Sequence, residues 1–244
     1  MKGRTSKSPI NIDDKKTKLT KYPPLIMKGH WVKGGEAMIA NNGETAIIHL
    51  MGNRPDSTIT GGPLTDEFKF VNVHFHWGEC DCDGSEHEIN GASYSMEAHV
   101  VHRNSKYNKF NDCLRYKDGL CVLVYFFLVT KDAYLKSNPY VEEIIEHLKF
   151  IRNPHTSINL PTNILYWMRK AIYCSKYYTY SGSYHVKTDP ECVIWIVFPL
   201  FIPVTSYQVN EFRKLKNESQ EEIIDNCHKI NTLNTSQVFT VLND

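Results

Sequence analysis

Val73-His74-Phe75-His76-Trp77 is the stretch of this chain whose residue types could do chemistry. On a strand, side chains i and i+2 point to one face. His74 and His76 then project together, while Phe75 and Trp77 pack on the other side. Two imidazoles on one face suit a tetrahedral ion with Zn–N bonds of about 2.0–2.1 Å. A third ligand must come from another strand, and Glu97-Ala98-His99-Val100-Val101-His102 supplies candidates, with Glu97 and His99 on one face. Three histidines with an open fourth position make a catalytic zinc site, whereas a structural site closes on four protein ligands. By itself, a His-X-His pair on a strand is more often part of a core or a surface than of a metal site. Cys80-Asp81-Cys82 is a weaker metal candidate, because no second cysteine pair lies at ligand spacing.

The elements that must position these histidines are mostly strands. Phe70 to Trp77 and Ser95 to His102 alternate, and Leu120 to Val129 reads as a strand buried on both faces. Asn41-Asn42-Gly43 and Gly61-Gly62-Pro63 mark turns. One helix is expected after an Asn138-Pro139 start, with Val141, Ile144, Ile145 and Leu148 forming an apolar stripe. A second is expected near Ser206, burying Val209, Phe212 and Leu215. Strands and helices do not alternate regularly, so a parallel α/β fold is excluded. The expectation is a mainly β (α+β) architecture: one domain over 1–244, built on a large twisted, mostly antiparallel sheet with short peripheral helices.

Composition narrows the partners. The 244 residues carry a formal charge of +1, which gives no electrostatic case for nucleic acid or an anionic membrane. A hydrophobic fraction of 41% fills a large core, yet no apolar run reaches the length of a membrane span. The basic stretch from Lys2 to Lys21 reads as a solvated terminus. Neither a secretory signal nor an even cysteine count is present, so reduced thiols and a cytoplasmic location are expected; secretion stays open if the chain begins further upstream. No oligomerisation signal stands out, and a monomer is expected.

The motifs then add up to a resemblance. NVHFHWGE at 72–79, GSEH at 84–87 and MEAHVVHRN at 96–104 resemble the signature of the α-class carbonic anhydrases. SPINID at 8–13, NNG at 41–43, GGPL at 61–64, DGLCVLVYF at 118–126, YYTYSGS at 177–183, ECVIWIV at 191–197 and QVNEFRKL at 208–215 follow in family order and spacing. The resemblance covers nearly the whole chain and implies the α-carbonic anhydrase fold.

It also implies one zinc ion on His74, His76 and His99, with carbon dioxide and water or bicarbonate as the small-molecule substrates. Asn72, Glu97, the backbone carbonyl near Asn226, and His87 with Tyr180 would support the ligands; Asn72 stands where the family has Gln, so its bond to His74 is expected to be long or water-bridged. Val101, Val122 and Trp195 would wall an apolar substrate pocket. Zinc lowers the pKa of bound water to about 7, which yields a nucleophile for carbon dioxide at neutral pH.

Three departures from the family pattern bear on activity. His185 replaces the threonine expected to pass a hydrogen bond to Glu86, and one imidazole cannot accept and donate through a single small atom. Alternatively, His185 reaches the zinc as a fourth ligand and closes the site. Tyr184 replaces a leucine at the pocket mouth, and the loop prolines are gone, so no cis bond is expected at Lys187-Thr188. Glu44 stands at the proton-shuttle position, where a carboxylate with a pKa near 4.3 is a poor partner for water titrating near 7. A disulfide found in many secreted members cannot form, since its places carry Lys2 and Asp189. Two readings stay open: a slow carbonic anhydrase, or a zinc-binding relative with little activity that serves as a binding module.

Overall fold

A computed structural model describes residues 6–130, 139–185, 188–232 and 234–242. The strands are β1 (Asn11–Ile12), β2 (Lys18–Thr20), β3 (Ile26–Lys28), β4 (Glu36–Asn41), β5 (Ala46–Met51), β6 (Thr58–Thr60), β7 (Phe68–Trp77), β8 (Glu88–Ile89), β9 (Met96–Asn104), β10 (Leu120–Val129), β11 (Ser157–Leu160), β12 (Lys176–Gly182), β13 (Val193–Val204) and β14 (Phe239–Leu242). Ten of them run in the order β11-β4-β5-β7-β9-β10-β13-β12-β14-β2, and β3 and β6 complete a 12-stranded sheet beside β7. Pairing is mostly antiparallel. The exceptions are β10 with β13, β14 with β2, and the separate pair of β1 with β8.

Side-chain alternation splits the interior into two cores, one on each face of the sheet. On β10, Cys121, Leu123, Tyr125 and Phe127 enter the larger core, while Leu120, Val122, Val124 and Phe126 enter the smaller one. A strand used on both faces must be apolar throughout, which is why Leu120–Val129 reads as an unbroken hydrophobic run. Two of the three α-helices among the described residues cover the larger core, and the short first one packs Phe110 and Cys113 on the smaller. The three are α1 (Phe110–Cys113), α2 (Pro139–Leu148) and α3 (Ser206–Arg213). Val141, Ile144, Ile145 and Leu148 of α2 are buried there, as are Val209, Phe212 and Leu215 at α3. Thr205 and Gln208 close α3 with a reciprocal capping box. Asn138, expected as the cap of α2, lies outside the described residues.

The same alternation puts the chemistry on the opposite face. Val73, Phe75 and Trp77 of β7, with Ala98 and Val100 of β9, face the larger core. His74, His76, Glu97 and His99 therefore face the side of the smaller core. A register shift between Phe70 and Asn72 leaves Val71 unpaired. This β-bulge resets the phase of β7 one residue before Asn72, so Phe68, Phe70 and Val73 share a face.

Candidate metal centre

Cross-strand pairing brings the three histidines together. His74 sits directly opposite His99 in the β7–β9 ladder, and His76 sits opposite Glu97. The ring centroids lie 5.2 Å apart for His74–His76, 5.2 Å for His74–His99 and 4.5 Å for His76–His99. One nitrogen from each ring falls within 4.8 Å of the others.

Each ring has its second nitrogen held. His74 Nδ1 is 3.0 Å from Asn72 Oδ1, His76 Nδ1 is 3.1 Å from the Asn226 carbonyl, and His99 Nε2 is 2.5 Å from Glu97 Oε1. Those bonds leave Nε2, Nε2 and Nδ1 respectively for a metal. The Asn72 bond is direct, not stretched or water-bridged, so the shorter amide reaches after all. His76 Nε2 is buried and has no hydrogen-bond partner, as expected of an atom that faces a cation. Three imidazole nitrogens on one face fit zinc.

The electrostatics keep two of the rings neutral. Burial lowers His74 well below the ordinary histidine range, and burial with His99 beside it lowers His76 to about 4, against the pull of Glu86. Burial also pushes His99 down, but Glu97 outweighs it and the net shift is upward. A metal must displace that proton to bind Nδ1. Glu97 is fully buried and stays ionised because His87 and His99 offset its desolvation. Its Oε1 lies 2.7 Å from His87 Nδ1, and its Oε2 accepts from the His87 N–H at 2.8 Å. His87 Nε2 is 2.6 Å from the Tyr180 hydroxyl, which donates to Ser8 Oγ at 3.0 Å.

The histidines form part of the lining of a cavity of about 1080 Å³. Glu44, Glu86, Tyr184, His185 and Trp195 line it as well, whereas Val101 and Val122 do not. Both valines are fully buried in the smaller core, and Tyr184 packs against that core from the cavity side. The apolar lining of the cavity comes from Trp195 and Tyr184 with Ile47, Ile223 and Ile224, while the two valines expected there lie in the smaller core.

Glu86 has a partner that sequence reasoning did not name. Its Oε1 accepts the His228 backbone N–H at 3.0 Å and the His228 ring Nδ1–H, and lies 3.1 Å from His76 Nδ1. Burial would raise Glu86, but His76 and His228 hold it near 2, so the carboxylate is an acceptor at all ordinary pH. His185 makes no hydrogen bond to Glu86. Its side chain is 53% exposed, its ring centroid is 3.5 Å from that of His228, and its Nδ1 is 3.6 Å from Asp189 Oδ1. The groups close enough to share a metal include His228 with His76 and Glu86, but not His185. Here the His185 ring is not within ligand reach of the three-histidine group. A histidine two positions after Asn226 was the available signal for His228; nothing in linear spacing linked it to Glu86, 142 residues away.

The cysteines depart from expectation at one place. Cys80 and Cys82 are joined by a disulfide, while Cys113, Cys121, Cys174, Cys192 and Cys227 take no part in one. The turn after β7 brings the two close, with Cα atoms 5.4 Å apart. Lys2 and the Lys187-Thr188 bond fall at residues 2 and 187, outside the described set. Asp189 pairs with Lys7 at 3.0 Å.

Comparisons with known proteins agree with the geometry. A sequence model of the eukaryotic-type carbonic anhydrases matches residues 2–242. Carbonic anhydrase 3 of Sus scrofa is 30% identical over 219 residues, covering 89% of this chain and 80% of the relative. Carbonic anhydrase 3 of Bos taurus is 28% identical over the same shares of both chains. That of Equus caballus is 30% identical over 189 residues, 78% of this chain and 70% of the relative.

Proposed function

The chain belongs to the eukaryotic-type carbonic anhydrase family, and from that premise we propose that it catalyses the zinc-dependent, reversible hydration of carbon dioxide to bicarbonate and a proton, at a slow rate. The observation that carries this reading is the convergence of three imidazole nitrogens whose partner nitrogens are all engaged. His74 and His76 would hold the ion through Nε2, and His99 through Nδ1. Zinc bound there supplies Lewis acidity that makes water nucleophilic near neutral pH.

The protein's own residues account for the rest. Glu97 and the Asn226 carbonyl fix the ring tautomers and orient the donors. Trp195 and Tyr184 offer carbon dioxide an apolar surface, and Tyr184 narrows the way in. Glu86 remains an anionic acceptor, but both of its hydrogen bonds from His228 fall on Oε1. No side chain at position 185 completes a donor–acceptor relay through it, so nucleophile orientation is poorer than in a threonine-bearing site. Glu44 lines the cavity where the family has a proton-relaying histidine, and a carboxylate there in place of an imidazole slows turnover further.

A second reading, a zinc-binding relative with little activity that serves as a binding module, is favoured by the same His185 and Tyr184. Stopped-flow hydration of carbon dioxide on the zinc-loaded protein, run beside His185→Thr, separates the two. Activity above buffer, rising in the variant, supports the slow enzyme. No activity in either form, with zinc stoichiometry intact, would sink it. One domain over 1–244 is part of the proposal, supported by a sheet that draws strands from residues 18 to 242. A monomer in a reducing compartment is proposed too; that five of the seven cysteines stand outside a disulfide supports the compartment. No helix among the described residues is long and apolar enough to cross a membrane.

A further inference from the structure

Cys80 and Cys82 lie outside the metal centre, on the turn that leads from β7 to Glu86. Both are exposed. The cysteines outside this disulfide differ: Cys113, Cys121, Cys174 and Cys192 are buried, and Cys227 is half-buried with its thiol on the Gly84 carbonyl at 3.0 Å. A reagent in solvent therefore meets the Cys80–Cys82 pair first.

The turn is held by contacts that do not involve sulfur. Arg213 of α3 forms an ion pair with Asp81 at 2.9 Å and donates to the Gly78 carbonyl at 2.8 Å. Ser95 Oγ donates to the Asp81 carbonyl at 2.6 Å, and the Gly84 N–H to the Tyr94 carbonyl at 2.7 Å. The backbone closes tightly as well: a Cβ on Gly78 would stand 1.8 Å from the Asp83 carbonyl oxygen. Opening the S–S bond thus leaves the two thiols side by side, ready to close again. Exposed disulfides are the labile, regulatory or catalytic ones, and a single exposed pair with no second disulfide among the described residues belongs to that class.

We propose that Cys80 and Cys82 form a reversible thiol–disulfide exchange site whose co-reactant is a soluble thiol. An incoming thiolate attacks one sulfur, the S–S bond breaks, and the other cysteine leaves as a thiolate that takes up a proton. A second thiol, deprotonated as it reacts, attacks the mixed disulfide. The oxidised co-reactant leaves as a disulfide, and the released cysteine thiolate takes up the second proton. Two electrons and two protons pass from two thiols to the pair. Oxidation by a disulfide co-reactant is the reverse.

The test equilibrates the intact protein in buffers of reduced and oxidised glutathione, with dithiothreitol as the dithiol probe, then alkylates it without denaturant and maps the adducts by mass spectrometry. The expected result is adducts on both Cys80 and Cys82 in reducing buffer, their loss in oxidising buffer, and an unchanged circular dichroism spectrum throughout. In Cys82→Ser the remaining thiol should trap a mixed disulfide with glutathione, since no neighbour resolves it. Reduction by dithiothreitol but not by glutathione narrows the co-reactant to a dithiol and supports the site. The proposal is overturned if the pair stays alkylatable in oxidising buffer, if neither reductant opens it while the fold is intact, or if Cys82→Ser forms no mixed disulfide.

Discussion

Glu97 does the most with one side chain. It is fully buried, touches His99 and His87 at once, and determines which nitrogen of His99 faces the cavity. Glu97→Gln keeps the shape and removes the charge. Loss of such a supporting partner lowers metal affinity roughly 10–100-fold. Chelator competition on the variant should show that loss, and an affinity equal to that of the parent would discard the assigned role. His228 is the matching residue for Glu86. With His228→Ala, Glu86 loses both its ring partner and the largest hydrogen-bonding contribution to its low pKa, so the carboxyl should titrate higher, which infrared spectroscopy of the carboxyl stretch can follow. An unmoved carboxyl pKa would mean that the His76 field alone holds it down.

At the scale of elements, the strand that carries two of the histidines has a short neighbour. β5 pairs with β7 only through Ile47–His74 and Ile48–Val73. Beyond that point no strand among the described residues supplies the ladder on this edge of β7, and side chains take its place. Thr45 Oγ1 serves Phe75. Asn226 accepts the Trp77 N–H at 2.8 Å through Oδ1 and donates to the Phe75 and Glu44 carbonyls at 3.0 and 3.1 Å. Trp77 Nε1 donates to the Ile223 carbonyl at 2.6 Å. The segment from Ile223 to His228 is therefore a clasp on the end of β7. Asn226→Ala leaves buried backbone groups unpaired and should cost roughly 1–3 kcal/mol in urea unfolding. Lys229→Ala, at an exposed position directly after that segment, should stay within about 0.5 kcal/mol. Equal effects for the two would contradict the clasp.

For the whole molecule, buried histidines set the response to acid. His30 and His102 sit in the larger core's flank with their Nε2 atoms 2.8 Å apart, both with no exposure. Burial lowers His102 to about 3 and His30 well below the ordinary range, so both are neutral in the fold. The unfolded chain takes up those protons near pH 6.5. Stability should then fall as the pH drops below about 6.5, and continue to fall toward about 3. In metal-free protein His74 and His76 add to the same trend, while His99 and His228, both shifted upward, oppose it. Thermal melts in chelator at pH 7.5 and pH 5 should show the loss, and the double variant His30→Gln/His102→Gln a smaller one. A flat profile in the parent would refute this assignment.

Period-2 alternation made the two strands with the ligands legible, because a residue's face follows from its parity once the strand is recognised. The same logic made β10 legible as doubly buried, and the i, i+3, i+4, i+7 spacing made α2 legible. His74, His76, His99 and Glu97 could be named from sequence for that reason: each pair lies two residues apart on one strand. Tertiary structure alone decided what lies across the cavity from them. His228 meets Glu86, Tyr184 lines the cavity beside the smaller core, His185 turns to Asp189 and His228, and the clasp at Asn226 takes the place of a strand. None of these follows from local spacing, since each joins segments far apart in the chain through packing that only the folded sheet creates. The sequence by itself determined a site able to hold a metal; the fold decided which groups surround it and which access is left to it.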